Sequence, residues 1–297
     1  IVLHLRDVAL TTDCLQSVFN CKLHSDLELK VYLVDNGSGD DFSFKKSWPI
    51  EIIRNYKNLG YAQGNNIGIK RALSDGCQYV WILNNDTIVD SSCLSVLVRS
   101  LIENPKIGVI GPKIYFHKGS EFHKDRYKTS ELGKVLWWAG GSIDWQNVLS
   151  VHFGMDEVDI GKYDRPGKVA TVTGTAMMVP REVFEKVGYL DSRFYLYFEE
   201  SDFCERVKKN NFDLWYQPKA IIWHKNAGSS GTGSDLHDYY LTRNRLFFGL
   251  RYAPWRTKQA LLRESIKMLI TGRKWQKRGV IDFFLHNLGR GSFPIPS

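Results

Sequence analysis

Through the first 110 residues, short apolar runs alternate with stretches of helical periodicity, and this alternation restricts the fold more than any other feature of the chain. Residues 1–5, 29–34, 51–54, 79–83 and 108–110 read as strands, with helices over 13–20, 64–73 and 91–102. Strands joined through helices pair in parallel through right-handed crossovers, because an antiparallel neighbour needs only a tight turn. The expected class is α/β and Rossmann-like, a mainly parallel sheet flanked by helices. Further on, residues 169–179 read as a strand and 181–187 as a short helix. An acidic helix then runs to about residue 210, followed by strands over 214–217 and 220–224. From Leu236 the pattern is helical up to a Gly/Pro tail, which predicts a C-terminal helical appendage.

In parallel sheets ligands bind beyond the carboxyl ends of the strands. Two polar segments fall there, Asp35-Asn36-Gly37-Ser38 and Asn84-Asn85-Asp86. Asp35 reads either as an Asx-turn residue or as an acceptor for the imide N–H of uracil or thymine. Asp86 reads either as part of a helix cap or as a ligand for magnesium or manganese, hard ions that take oxygen donors and few protein ligands when a phosphate supplies the rest. The second reading leaves Asn84 or Asn85 for a ribose. Between these segments, Gly60, Gly64 and Gly68 recur every fourth residue. That is not the dinucleotide fingerprint, and it follows the third strand rather than the first. The glycines mark either close helix–sheet packing or a backbone open to a nucleotide, with Asn65 offering an amide.

The densest chemistry lies in Tyr195-Leu196-Tyr197-Phe198-Glu199-Glu200-Ser201-Asp202-Phe203, followed by Trp223-His224-Lys225. Carboxylates beside bulky apolar groups are poorly solvated, which raises a pKa and suits a general base; acids also favour a first helical turn. His224 after Ile-Ile-Trp reads as a core residue or as a metal ligand.

Bulk properties exclude several classes. Five scattered cysteines with no CxxC pair argue against a disulfide framework or zinc site and favour a reducing, cytoplasmic compartment. No apolar run approaches the ~18 residues of a membrane span, and no signal peptide is visible. Two Asn-X-Ser/Thr sequons, at Asn36 and Asn85, read as chance matches. The formal charge is +8, and residues 251–278 carry nine basic side chains against one acid, Glu264. The rest of the chain is balanced, so nucleic acid is not an expected partner. The basic stretch reads either as a helix that covers the catalytic domain or as a peripheral contact with an anionic membrane.

The segments resemble, in order, those of family 2 glycosyltransferases of the GT-A fold, closest to the rhamnosyltransferase-like and galactofuranosyltransferase-like branch. Besides those quoted, the match includes Leu83-Asn84-Asn85-Asp86-Thr87, the 172–179 run around Gly174, and Tyr239-Tyr240-Leu241-Thr242-Arg243-Asn244. The resemblance implies a catalytic domain over residues 1–235, with a nucleotide-binding half (1–110) and an acceptor half (111–235), and a helical region over 236–297. It implies inverting transfer from a dTDP- or UDP-sugar, foremost dTDP-L-rhamnose, to a surface glycan or lipid-linked glycan. Galactofuranose or N-acetylglucosamine donors are alternatives, as is a non-catalytic carbohydrate-binding module. By resemblance, Asp35 binds the pyrimidine and Asn84 or Asn85 the ribose. Leu5, Asn58, Gly60, Gly64, Asn65 and Gly174 are further donor contacts. Asp86 and His224 hold manganese or magnesium, Arg243 helps neutralise the diphosphate, and Glu200 is the base, with Glu199 and Asp202 positioning sugars. The chain departs from the family in having Asn84-Asn85 where many relatives have acids, and Glu rather than Asp at the base position.

Overall fold

The computed structural model describes residues 1–42, 44, 48–225 and 233–294. Its first part alternates as the sequence predicts: β1 (Val2–His4), α1 (Val8–Phe19), β2 (Val31–Asp35), β3 (Ile50–Arg54), α2 (Gly60–Ser74) and β4 (Tyr79–Asn84). Next come β5 (Thr87–Val89), α3 (Cys93–Glu103) and β6 (Ile107–Phe116). β2 is buried along its whole length, as a run of Val, Tyr, Leu and Val must be when helices cover both faces. α1 starts five residues earlier than its periodicity predicts, because the Asp7 carboxylate accepts from the Leu10 amide at 3.0 Å and caps the helix there.

The middle of the chain adds β7 (Leu136–Trp138), β8 (Gly141–Asp144), β9 (Leu149–His152), β10 (Gly167–Lys168) and β11 (Ala176–Pro180). The expected strand over 169–179 therefore shrinks to its second half. Ahead of it, the Thr173 hydroxyl accepts from the Thr175 amide at 3.3 Å, a local turn that competes with the ladder. α4 (Arg181–Val187) and α5 (Glu199–Lys209) follow, then β12 (Asp213–His224). β12 is one strand where the sequence suggests two, since an irregularity between Gln217 and Ile221 takes up Pro218 without ending the pairing.

The main sheet runs β10-β12-β6-β11-β4-β1-β2-β3. β3, β2, β1 and β4 are parallel, as are β6 and β12, while β11 lies antiparallel between β4 and β6. The parallel register sets His4 opposite Asp35 and Leu3 opposite Asn84, so the polar segments emerge together at one sheet edge. α6 (Asp235–Tyr252), α7 (Trp255–Thr271) and α8 (Lys274–Phe284) complete the chain. They share an apolar cluster with Phe194 and Phe198, including Leu246, Phe248, Leu261 and Val280. No helix among the described residues is long and apolar enough to cross a membrane.

Candidate active site

Strand pairing creates the first half of the site. β5 runs antiparallel to β12 with Thr87 opposite His224, which delivers the histidine to the turn after β4. There His224 Nε2 lies 3.1 Å from Asp86 Oδ2, and the Lys225 amide donates to the Asp86 carbonyl at 2.8 Å. The Trp137 ring stands edge-on to the His224 ring at 4.7 Å and to the His152 ring at 4.8 Å. Burial pushes His152 down to about 4, which keeps it neutral beside His224. Nδ1 of His224 is buried without a hydrogen-bond partner. Among the described residues no group of three or more His, Cys, Asp or Glu side chains is assembled for a metal. Asp86 and His224 stand as a hydrogen-bonded pair.

The second half is the start of α5. Glu199 and Glu200 open this helix, and the residues before them are strained: Tyr195, Tyr197 and Phe198 have φ of 66°, 68° and 71°. Bulky residues in this left-handed region cost about 1–3 kcal/mol each and persist only when their surroundings hold them. The holding groups are identifiable. Asn244 Nδ2 donates to the carbonyls of Phe194 (2.7 Å), Leu196 (2.7 Å) and Tyr197 (3.0 Å). Arg243 donates to the Phe194 carbonyl at 3.0 Å and to Asn244 Oδ1 at 3.0 Å. From the other side, the Tyr61 amide donates to the Tyr195 carbonyl at 2.7 Å.

Tyr61 joins the two halves. Its hydroxyl donates to the Gly174 carbonyl at 2.5 Å. Burial, then the charges of Glu199, Glu200 and Asp86, push its pKa well up. Gly174 brings Tyr61 and Glu200 together: a Cβ there would lie 3.2 Å from the Tyr61 hydroxyl, a tight contact, and 3.6 Å from Glu200 Cβ, an ordinary one. Glu199 is buried, with Oε2 lacking a hydrogen-bond partner, whereas Glu200 is half-buried. Burial raises both pKa values, and the neighbouring Glu200 charge raises Glu199 further. Two poorly solvated carboxylates therefore open α5 close to the half-buried Tyr61 phenol, an arrangement able to take a proton from a hydroxyl. Tyr61 could have been noticed inside the glycine-spaced segment; Trp137 and His152 lie in a stretch whose pattern carried no signal.

Other sequence-predicted residues take different places. Asp202 is fully buried, and its oxygens accept from Arg206 (2.8 Å), Tyr252 (2.7 Å) and Arg251. With both oxygens engaged it ties α5 to α6, where the sequence reading has it positioning a sugar. Arg243 is likewise fully buried on backbone carbonyls, so it has no edge to offer a diphosphate and instead supports the strained loop. Gly60 and Gly64 follow the packing reading. A Cβ at Gly60 would lie 2.5 Å from the Tyr195 ring, and one at Gly64 would lie 2.7 Å from Leu3. Asn65 is fully buried, donating to the Tyr61 carbonyl at 3.0 Å, so its amide supports Tyr61 rather than a nucleotide. Asn58 Oδ1 accepts from the Gly60 amide at 2.9 Å and from Asn36 at 3.1 Å, which shapes the entry to α2. Asp35 makes the turn that one of its two readings expects. One oxygen accepts from the Ser38 amide (2.9 Å) and hydroxyl (2.8 Å), the other from Arg54 at 3.1 Å. Asn84 ends β4 half-buried, Asn85 donates to the Thr11 hydroxyl at 2.9 Å, and Leu5 is half-buried just past β1.

A hexosyltransferase of low-salt glycan biosynthesis from Haloferax volcanii is 25% identical over 61% of this chain and 54% of its own length. A poly-beta-1,6-N-acetyl-D-glucosamine synthase from Staphylococcus epidermidis is 23% identical over 66% of this chain. The chain spans only 54% and 42% of the lengths of these two relatives. An N-acetylglucosaminyl-diphospho-decaprenol L-rhamnosyltransferase from Mycobacterium tuberculosis is 25% identical over 72% of each chain. Among solved structures, GalNAc-T7 with UDP, GalNAc and Mn2+ superposes with a TM-score of 0.61 at 14% identity, covering 97% of this chain and 54% of that one. The mannosyltransferase PcManGT from Pyrobaculum calidifontis, in complex with GDP-Man and Mn2+, superposes with a TM-score of 0.51 at 13% identity, covering 99% and 75%. At such identities these structures show the GT-A fold alone. The family model described as glycosyl transferase family 2 matches residues 4–188, well over half of the chain, which therefore belongs to that family.

Proposed function

We propose that this chain is an inverting hexosyltransferase that moves a sugar from a nucleoside diphosphate to a glycan hydroxyl, with dTDP-L-rhamnose as donor and a surface or lipid-linked glycan as acceptor. The observation that carries this reading is the pair Glu199–Glu200 at the head of α5, Glu199 buried and Glu200 half-buried, with Glu200 and the Tyr61 hydroxyl both beside Gly174. The rhamnose assignment is favoured by the name of the mycobacterial relative, which is matched over 72% of both chains. A UDP-sugar donor is the second reading, favoured by the staphylococcal relative.

In this reading Glu200 is the base. As the acceptor oxygen bonds to the anomeric carbon, its proton passes to the Glu200 carboxylate. The bond to the diphosphate breaks, and the electron pair leaves with the diphosphate. A carboxylate with a raised pKa is a better proton acceptor than an ordinary one, provided it is ionised at the working pH. Glu199, the more buried of the two, is suited to holding a proton and donating a hydrogen bond to a sugar hydroxyl. Tyr61 and Gly174 fix the gap between base and donor. Asp35 is oriented by Ser38 and Arg54 for a pyrimidine imide.

Asp86 and His224 fit a divalent cation. The donor set, one carboxylate oxygen and one imidazole nitrogen, is of the kind that would hold manganese or magnesium. Two protein ligands suffice where substrate phosphates complete the shell. When bound, manganese or magnesium would supply charge neutralisation for the departing diphosphate. The test is Glu200→Gln, which should lower transfer at least ~100-fold while donor affinity stays near normal. Wild-type protein that neither hydrolyses nor transfers sugar from any nucleotide donor with manganese present would leave a binding module instead.

A further inference from the structure

The face of α7 plays no part in the transfer reaction. This helix turns Leu261 and Ser265 inward and keeps Met268 half-buried. Its outer side carries Trp255, Leu262, Ile266, Leu269 and Ile270, of which Trp255 is 72%, Ile266 60% and Ile270 73% exposed. At 3.6 residues per turn these positions form one stripe roughly 100° wide. Arg256, Arg263 and Lys267 each follow a member of the stripe, so they form a basic row along one border. Among the described residues none of these three has a carboxylate partner. Elsewhere in the basic stretch three arginines are paired: Arg251 with Asp202 and Asp191, Arg273 with Asp238, and Arg278 with Asp282. α8, packed against α7, leaves Ile281 and Phe284 exposed, followed by exposed Leu285.

A helix of a globular protein turns its apolar stripe toward the core. α7 presents a broad one to solvent instead, so the helix does not cover the catalytic domain with the residues that its periodicity singles out. An outward apolar stripe bordered by unpaired cations, with a tryptophan at one end, is the pattern of a helix lying in a membrane interface. We propose that α7 docks flat on an anionic bilayer surface, inserting Trp255, Leu262, Ile266, Leu269 and Ile270 while Arg256, Arg263 and Lys267 meet the headgroups. The charge row selects an anionic surface over a neutral one, since each cation near such a surface adds attraction that salt screens. The docking rests on this face alone and is independent of which sugar is transferred.

Flotation with vesicles of phosphatidylglycerol and phosphatidylcholine, and with phosphatidylcholine alone, tests the proposal on the full chain. Wild-type protein should float with the anionic vesicles at low salt, bind the neutral ones at least tenfold less, and be largely released at about 1 M salt, where the Debye length is about 3 Å. The triple variant Arg256→Gln, Arg263→Gln, Lys267→Gln and the double variant Ile266→Gln, Ile270→Gln should each lose at least tenfold in partitioning. Their thermal unfolding should match wild type, because the side chains are outside the core; Ile270→Gln alone serves if the double variant folds poorly. Wild-type protein that ignores anionic vesicles at low salt overturns the proposal, as does binding that both variants retain. Concentration-dependent self-association that the isoleucine variant abolishes, without lipid binding, would make this face a contact between copies. Donor hydrolysis, measured alongside, reports separately on the transfer reading.

Discussion

Replacing Asn244 with alanine tests whether α6 holds the catalytic carboxylates in place. The Asn244 amide has two N–H groups, shared among the carbonyls of Phe194 (2.7 Å), Leu196 (2.7 Å) and Tyr197 (3.0 Å), all inside the strained segment ahead of Glu199. Two lost hydrogen bonds amount to about 2 kcal/mol net, and the buried carbonyls left unpaired add about 1–2 kcal/mol. A loss of about 3–4 kcal/mol is therefore expected. With an unfolding entropy near 2.1 cal/mol/K per residue, a chain of 297 residues has about 0.6 kcal/mol/K, so Tm should fall by about 5–6 °C. The catalytic effect should be larger than the stability effect. Once Tyr195, Tyr197 and Phe198 relax from left-handed geometry, Glu199 and Glu200 shift, and a displacement of 1 Å can cost ~100-fold. Transfer should drop by about that factor while nucleotide binding, which rests on β2 and β4, stays within a few-fold. Asn244→Asp keeps the size but sets a carboxylate against three carbonyls, and should be no better than alanine. Thermal unfolding, calorimetric titration with the donor nucleotide and a transfer assay measure the three quantities. An Asn244→Ala protein with wild-type Tm and turnover would refute the argument that this amide holds the loop.

The acidic limb of the transfer pH profile should lie above the ordinary carboxylate range near 4.3, because burial raises Glu200 and only its ionised form accepts a proton. A limb at or below that value would move the base elsewhere. Glu199 also has a raised folded-state pKa, so its contribution to stability is full below its unfolded pKa and is lost as pH rises through the folded one. Glu199→Gln should consequently gain stability relative to wild type between acid and neutral pH, read from paired melts; parallel curves would show that the site is better solvated than its burial indicates. Asp86→Ala should abolish metal-dependent donor binding and His224→Ala weaken it, with a chelator reproducing the first effect on wild-type protein. Donor binding indifferent to the chelator would leave the pair structural. UDP and dTDP should compete with donor while CDP does not, as cytosine lacks an imide N–H for Asp35; equal competition by all three would reduce Asp35 to the turn it makes with Ser38.

The sequence by itself determined the Rossmann-like half, because strands such as Val31–Asp35 are short continuous apolar runs and helices such as Gly60–Ser74 follow a period of 3.6, both local patterns. It also marked Asp86, Glu199, Glu200 and His224, since acids and a histidine next to apolar runs are conspicuous wherever they fall. What it could not decide was which polar groups would find partners inside the protein. Asp202 and Arg243 carry the same charges as functional residues, and only the docking of α6 against the 193–202 segment consumes them in buried contacts. Gly60 and Gly64 are ambiguous in sequence because packing and ligand approach both demand a missing Cβ; the nearby Tyr195 and Leu3 resolve them as packing positions. Tyr61 acquires its place beside Gly174 and Glu200 through contacts more than 100 residues distant in the chain, such as that with the Gly174 carbonyl. The exposed stripe of α7 follows the same rule. Periodicity shows that a helix has an apolar side, but the direction of that side is set by the helices that pack beside it.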